Sequence, residues 1–256
     1  MLLAFDVGNT TIAIGLFRGP KLVRSWKIKT DREKTSDEYG ALLLNLFQGR
    51  AVPPKRIEAA IISSVVPPLT PVLQDTCRAC FGLDPLVVGP GLRTGMPILY
   101  ENPLEVGADR IVAAVAAYEK HGGPAIVVDF GTATTFDAIS AKGEYLGGAI
   151  APGIQIAAEA LYLKTARLPR IEIRKPKRAV GRTTVSSMQS GLYFGYIGLV
   201  TNTIHEIERE LGKKAVVIAT GGFGGEITPE IPAIDHYEPD LVLEGLRIVR
   251  DRNRDA

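Results

Sequence analysis

The chain has 256 residues, room for one large domain or two small ones, and its 46% hydrophobic and 23% charged content is ordinary for a globular protein that needs no metal or disulfide staple. Its 30 basic and 28 acidic residues leave a net charge of +2, so the charge balance calls for no nucleic-acid partner. No segment approaches the roughly 18 apolar residues of a membrane span, and no basic leader precedes the first strand, so the expected home is the cytoplasm, with no membrane engagement.

Leu2 to Val7 is an apolar run closing in the turn signal Asp6-Val7-Gly8-Asn9-Thr10, and Thr11 to Phe17 is a second β-rich run; together they predict a hairpin. Lys21 to Lys29 supplies a third strand. Thr35-Ser36-Asp37-Glu38 has capping-box spacing and starts a helix through Phe47. Glu58 to Val66 predicts a buried strand stopped by Pro67-Pro68, then a helix over 71–81 and a short strand over 86–88. That helix carries both cysteines, Cys77 and Cys80; no second Cys/His pair completes a zinc site, so two reduced structural thiols are expected.

A helix follows over 105–119, with Ile111, Val112, Val115 and Tyr118 on its apolar stripe, and Gly122-Gly123-Pro124 breaks the chain. Ala125 to Phe130 and Thr134 to Ile139 repeat the opening strand–turn–strand theme. Next come a helix over 153–164 and the most basic stretch, with Arg170, Arg174, Lys175, Lys177, Arg178 and Arg182. That stretch is either a solvated loop or a mouth that attracts an anionic ligand. A long helix over 185–211, a strand over 215–219 running into Thr220-Gly221-Gly222, and an amphipathic helix over 239–253 complete the chain. The three histidines, His121, His205 and His236, form no ligand-like cluster in the sequence.

The repeat organises the rest. Asp6-Val7-Gly8-Asn9-Thr10-Thr11-Ile12 aligns with Asp129-Phe130-Gly131-Thr132-Ala133-Thr134-Thr135, one copy near the start of each half. A duplicated unit predicts two related α/β domains, residues 1–117 and 118–256, with the closing helix in the second. In the first copy Gly8 leaves the turn open to a ligand, backbone N–H groups with Asn9, Thr10 and Thr11 can face phosphate oxygens, and Asp6 can hold hydrated Mg²⁺. A plain hairpin turn uses the same residue types. A second copy, with Asp129 and Thr132, favours a two-turn phosphate clamp.

Gly107-Ala108-Asp109-Arg110 lies near a helix start, where an exposed N-terminus attracts anions. There Asp109 can accept a proton from a substrate hydroxyl and Arg110 can hold a carboxylate, although a surface Asp–Arg pair fits the same residues. Thr220-Gly221-Gly222-Phe223-Gly224-Gly225 would let a flat group such as adenosine approach the backbone, or is simply a glycine-rich loop. The chain lacks the P-loop, H-E-x-x-H, G-x-S-x-G and protein-kinase motifs.

In this order, with Gly147-Gly148-Ala149-Ile150-Ala151-Pro152-Gly153, Ser187-Met188-Gln189-Ser190-Gly191 and Leu243-Glu244-Gly245-Leu246-Arg247, these motifs resemble the type III pantothenate kinases nearly end to end. One departure is Ala113, where the family often has Asn. The resemblance implies two ribonuclease H-like domains of the actin/hexokinase type, with mixed sheets, flanking helices and a cleft between them. It implies ATP-dependent phosphorylation of pantothenate to 4′-phosphopantothenate, the first step of coenzyme A synthesis, by a homodimer that uses Mg²⁺ and K⁺ or NH₄⁺. It also implies that Asp6, Val7, Gly8, Asn9, Thr10, Thr11, Ile12, Ala13 and Thr132 bind ATP. Tyr100, Gly107, Ala108, Asp109, Arg110 and Thr184 would bind pantothenate, with Asp109 the proton acceptor and Asp129 the ligand of the monovalent cation. The alternatives are a kinase of the same superfamily acting on another small hydroxy or carboxylate substrate, and a non-catalytic nucleotide-binding regulator of transcription.

Overall fold

Leu3, Phe5 and Val7 point one way from the opening strand and are fully buried, a period-two pattern that sets one face of a sheet against a core. In the computed structural model, which describes residues 1–49 and 52–254, the chain divides into two compact units: Met1–Glu119 with Leu241–Ala256, and Lys120–Asp240.

In the first unit β1 (Leu2–Val7), β2 (Thr11–Arg18) and β3 (Lys21–Lys29) form an antiparallel meander. β4 (Ala59–Ser64) joins parallel to β1, and β5 (Leu86–Val87) parallel to β4, for the order β3-β2-β1-β4-β5. α1 (Ser36–Gln48) opens on the expected capping box: the Thr35 hydroxyl accepts from the Glu38 N–H, and the Glu38 carboxylate accepts from the Thr35 N–H. It packs on α2 (Leu69–Phe81), burying Tyr39, Leu43, Phe47, Leu69 and Leu73. Cys77 and Cys80 lie in α2 as free thiols, and burial pushes Cys77 up to about 12.

α3 (Ala108–His121) starts three residues later than the expected 105, because Pro103–Glu105 form a separate single 3₁₀ turn capped by Asn102.

The second unit repeats this plan strand for strand. β6 (Ala125–Phe130), β7 (Ala133–Ile139) and β8 (Tyr145–Pro152) form an antiparallel meander. Past α4 (Ile154–Lys164) and α5 (Thr184–Leu211), β9 (Val216–Thr220) joins parallel to β6. After the short α6 (Gly224–Ile227), β10 (His236–Tyr237) pairs with β9 to complete the order β10-β9-β6-β7-β8. Ile154 of α4 and Tyr193, Tyr196 and Val200 of α5 share one core with Ile126, Val128, Phe130 and Phe136 of the sheet. Two mixed sheets of identical connectivity are the predicted pair of ribonuclease H-like folds.

Three sequence expectations change here. β8 reads as no strand in sequence because Gly147, Gly148 and Pro152 interrupt it, yet it forms the edge beyond β7. The repeat aligns without a gap only up to the turn: three residues (Gly8–Thr10) link β1 to β2, and two (Gly131–Thr132) link β6 to β7. Ile12 pairs with Val7 and Thr134 with Phe130, so Thr134, not Thr135, occupies the place of Ile12. Finally, α7 (Leu241–Arg252) falls in the first unit rather than closing the second. Its apolar face packs on β1, β2 and β4, and no local sequence signal specifies so distant a partner.

Candidate active site

The first turn is set by backbone bonds and by one residue the motif search did not name. The Gly8 N–H donates to the Thr11 carbonyl at 3.0 Å. Thr30, just past β3, donates its hydroxyl to the Gly8 carbonyl at 2.6 Å and its N–H to the Thr10 carbonyl at 3.0 Å. Arg32 reaches the exposed Asn9 side chain at 2.8 Å. Thr10 and Thr11 are exposed, Ala13 is partly buried, and Val7 and Ile12 point into the core, so the last two can offer a ligand only backbone groups.

Asp6, the next-to-last residue of β1, is partly exposed and in register with Ser63 of β4. Ser63 is fully buried, and its hydroxyl has no hydrogen-bond partner. A buried orphan hydroxyl costs free energy unless something meets it. Among the described residues no group of three His, Cys, Asp or Glu could hold a metal. One part-exposed carboxylate beside an unpaired hydroxyl therefore suits a divalent ion that keeps most of its own waters, as Mg²⁺ does.

The first turn and the start of α3 share a neighbour. Val65 donates its N–H to the Val7 carbonyl at 3.1 Å, and a methyl placed on Gly107 would lie 3.5 Å from Val65 Cγ1. Asp109 is half-buried and accepts the Arg110 N–H at 2.8 Å. Burial raises its pKa above the usual carboxylate range, and the Arg110 N–H and charge offset that only in part. A half-buried carboxylate whose pKa burial raises suits a general base. A Cβ on Gly107 would sit 2.5 Å from Asp109 Oδ1, so only glycine leaves that carboxylate where it is. Ala108 and Arg110 flank it, partly buried, in the first turn of α3, and Tyr100 is partly buried in the loop before it.

In the second unit the Gly131 N–H donates to the Ala133 carbonyl at 3.1 Å, leaving Gly131 and Thr132 exposed. Gly153 donates to the Thr132 carbonyl at 3.2 Å, and a side chain there would meet that oxygen at 2.4 Å. Asp129, the next-to-last residue of β6, lies beside Gly221, whose φ of +93° and proximity to Asp129 Oδ1 leave no room for a Cβ. A part-exposed carboxylate next to the turn can serve a monovalent cation.

Thus Asp6 to Ala13 and Gly107 to Arg110 gather in the first unit, and Asp129 and Thr132 gather in the second. Thr184 stands apart at the exposed start of α5, where Thr183 and Ser186 form a capping box. The sequence reading missed Thr30, Ser63 and the contact of Gly153 with Thr132. Each lies far along the chain from the residue it meets.

A family model described as "Type III pantothenate kinase" matches residues 2–206. A Moorella thermoacetica protein named type III pantothenate kinase is 56% identical over 253 residues, 99% of this chain and 100% of the relative. A Geobacter sulfurreducens protein of the same name is 53% identical over 255 residues, with both chains fully covered. Among solved structures, a Campylobacter jejuni protein described as a "conserved putative Baf family transcriptional activator" superposes with a TM-score of 0.63 at 19% identity, over 99% of this chain and 100% of that one. A Listeria monocytogenes protein described as a "putative N-acetylmannosamine kinase" does so at 0.56 and 11% identity, over 99% of each. At such identities these two likenesses speak for the fold alone.

Proposed function

The chain belongs to the type III pantothenate kinase family, and on that footing we propose that it transfers the γ-phosphoryl group of ATP to pantothenate, giving 4′-phosphopantothenate for coenzyme A synthesis. Within the molecule, the observation that supports this most is the recurrence of one Asp-x-Gly turn at the same strand junction of two identically connected sheets, with Val65 a neighbour both of the first copy and of Gly107, two residues before Asp109.

In this proposal Asp6 to Ala13 and Thr132 bind ATP, while Tyr100, Gly107 to Arg110 and Thr184 bind pantothenate. The transition state of phosphoryl transfer is loose and spreads charge over the phosphoryl oxygens, so positioning and charge stabilisation dominate. Turn N–H groups and hydroxyls orient the phosphates. Asp109 accepts the proton of the substrate hydroxyl as its oxygen bonds to phosphorus and ADP departs. Asp6 would hold hydrated Mg²⁺ and Asp129 would hold K⁺ or NH₄⁺; when bound, these ions offset phosphate charge.

A homodimer belongs to the same proposal. Ile150, Leu163, Val180, Val185 and Phe194 expose large apolar side chains on the second unit, which suits a second copy. Among the described residues no helix is long and apolar enough to cross a membrane, and a cytoplasmic location is proposed with the pathway.

The test is product detection with pantothenate, ATP, Mg²⁺ and K⁺, omitting each ion in turn. Phosphopantothenate that depends on both ions is the expected result. Nucleotide binding without product would favour the regulatory alternative, and product only from another hydroxy acid or a sugar would favour a different kinase. Gly107→Ala bears on the assigned base. The added methyl displaces the Asp109 carboxylate, so kcat should fall at least about tenfold while Tm moves by only ~1–2 °C. Unchanged turnover would mean that the carboxylate need not sit where it does.

A further inference from the structure

The two units differ at one buried place. Ile12 and Thr134 are each the second residue of the strand that leaves the turn, and each is fully buried. The first unit fills the place with an apolar side chain. The second places a hydroxyl there, and Tyr196 of α5 meets it, Oη to Oγ1, at 2.5 Å. An isolated buried hydroxyl is costly, and a pair replaced by apolar groups of similar shape can be nearly neutral. The twin unit shows that this connectivity does not need the pair.

The surroundings tie Tyr196 to the turn. Its ring packs against Phe130 and Phe223, with centroids 6.1 and 6.4 Å away. Phe130 is the last residue of β6 before the turn, and Phe223 donates its N–H to the Phe130 carbonyl at 3.3 Å. Burial pushes the Tyr196 hydroxyl up to about 12, so it stays protonated and can donate throughout the neutral range. Asp129 is close enough that its charge adds to that shift.

We propose that Tyr196 is a positioning residue that, through Thr134, holds the turn Gly131–Ala133 at the height at which it grips nucleotide phosphates. This rests on the assignment of that turn to nucleotide binding. Tyr196 itself touches no substrate.

The experiment is calorimetric titration of the full chain with MgADP, comparing wild type, Tyr196→Phe, Thr134→Val and the double variant, with Tm and pantothenate KM measured in parallel. Each single change leaves one buried hydroxyl without its partner, and ADP affinity should fall about five- to twentyfold with pantothenate KM unchanged. The double variant should bind no more weakly than the weaker single one, because both remove the same bond. ADP binding by Tyr196→Phe at wild-type strength overturns the proposal, as do losses that add in the double variant. A drop in Tm with ADP affinity intact overturns it too, since that marks a structural role only. Should Tyr196→Phe fail to fold, Thr134→Val decides by the same readout. A wild type that binds ADP but forms no phosphopantothenate defeats the kinase assignment and leaves this inference standing; one that binds no ADP defeats both.

Discussion

Asp109→Asn is expected to lower kcat by about a hundredfold or more while ADP affinity stays at the wild-type level. A positioned base contributes about 10²–10⁴-fold. The asparagine has the same shape and can still accept the Arg110 N–H now bonded to Asp109 at 2.8 Å. It cannot take the hydroxyl proton. Loss of kcat without loss of nucleotide binding therefore isolates proton transfer from positioning.

Acid dependence provides a second readout. Burial raises the Asp109 pKa above the ordinary carboxylate value of about 3.9. As pH falls, the base becomes protonated sooner than an exposed aspartate would, so the acid limb of kcat/KM should lie above the usual carboxylate range. The sign for stability runs the other way. A carboxyl whose folded pKa is raised contributes stability that is fully present below its unfolded pKa and is lost as pH rises through the folded one. At neutral pH the charged Asp109 thus weighs against folding, and the Asn variant should melt at or above the wild-type temperature, with the difference vanishing in acid. An Asn variant with full turnover, or one that melts clearly below wild type at neutral pH, would remove Asp109 from the role given it.

Gly245→Ala should produce the largest loss of stability. α7 crosses α3 so closely that a Cβ on Gly245 would lie 1.9 Å from the Val112 carbonyl oxygen and 2.5 Å from its carbon. Neither atom can swing away, because both are backbone. Val112 and Leu246 are fully buried and Leu243 is nearly so, so the helices must separate at the centre of a packed interface. The cost should reach ~3 kcal/mol, at the upper end for overpacking. For a chain of this size that lowers Tm by about 6–12 °C. Because α7 packs on β1, β2 and β4, limited proteolysis should open residues 1–119 before 120–240. A Tm within about 2 °C of wild type would show that the crossing relaxes more easily than its geometry suggests.

Local chemistry made the turns, the capping box at Thr35 and Glu38, and most strands readable from the residues themselves. A turn needs its glycine, and a half-buried strand needs its alternation, wherever the rest of the chain goes. The candidate site was readable where its residues are consecutive, as in Asp6 to Ala13 and Gly107 to Arg110. It was unreadable where a contact spans the fold. Thr30 reaches Gly8 across 22 residues, and Tyr196 reaches Thr134 across 62. β8 escaped notice because its glycines and terminal proline break the pattern, and an edge strand tolerates both. The motif around Gly245 was visible, but its reason, the backbone of Val112 lying against it, was not.

The placement of α7 also orders the birth of the protein. Ribosomes add about 5–20 residues per second. Every strand and helix of Lys120–Asp240 has been made before α7 begins. The amino-terminal sheet must therefore wait roughly 6–24 s, the time to make the intervening stretch, for the helix that covers β1 and β4. The half that is translated first is the half that is finished last.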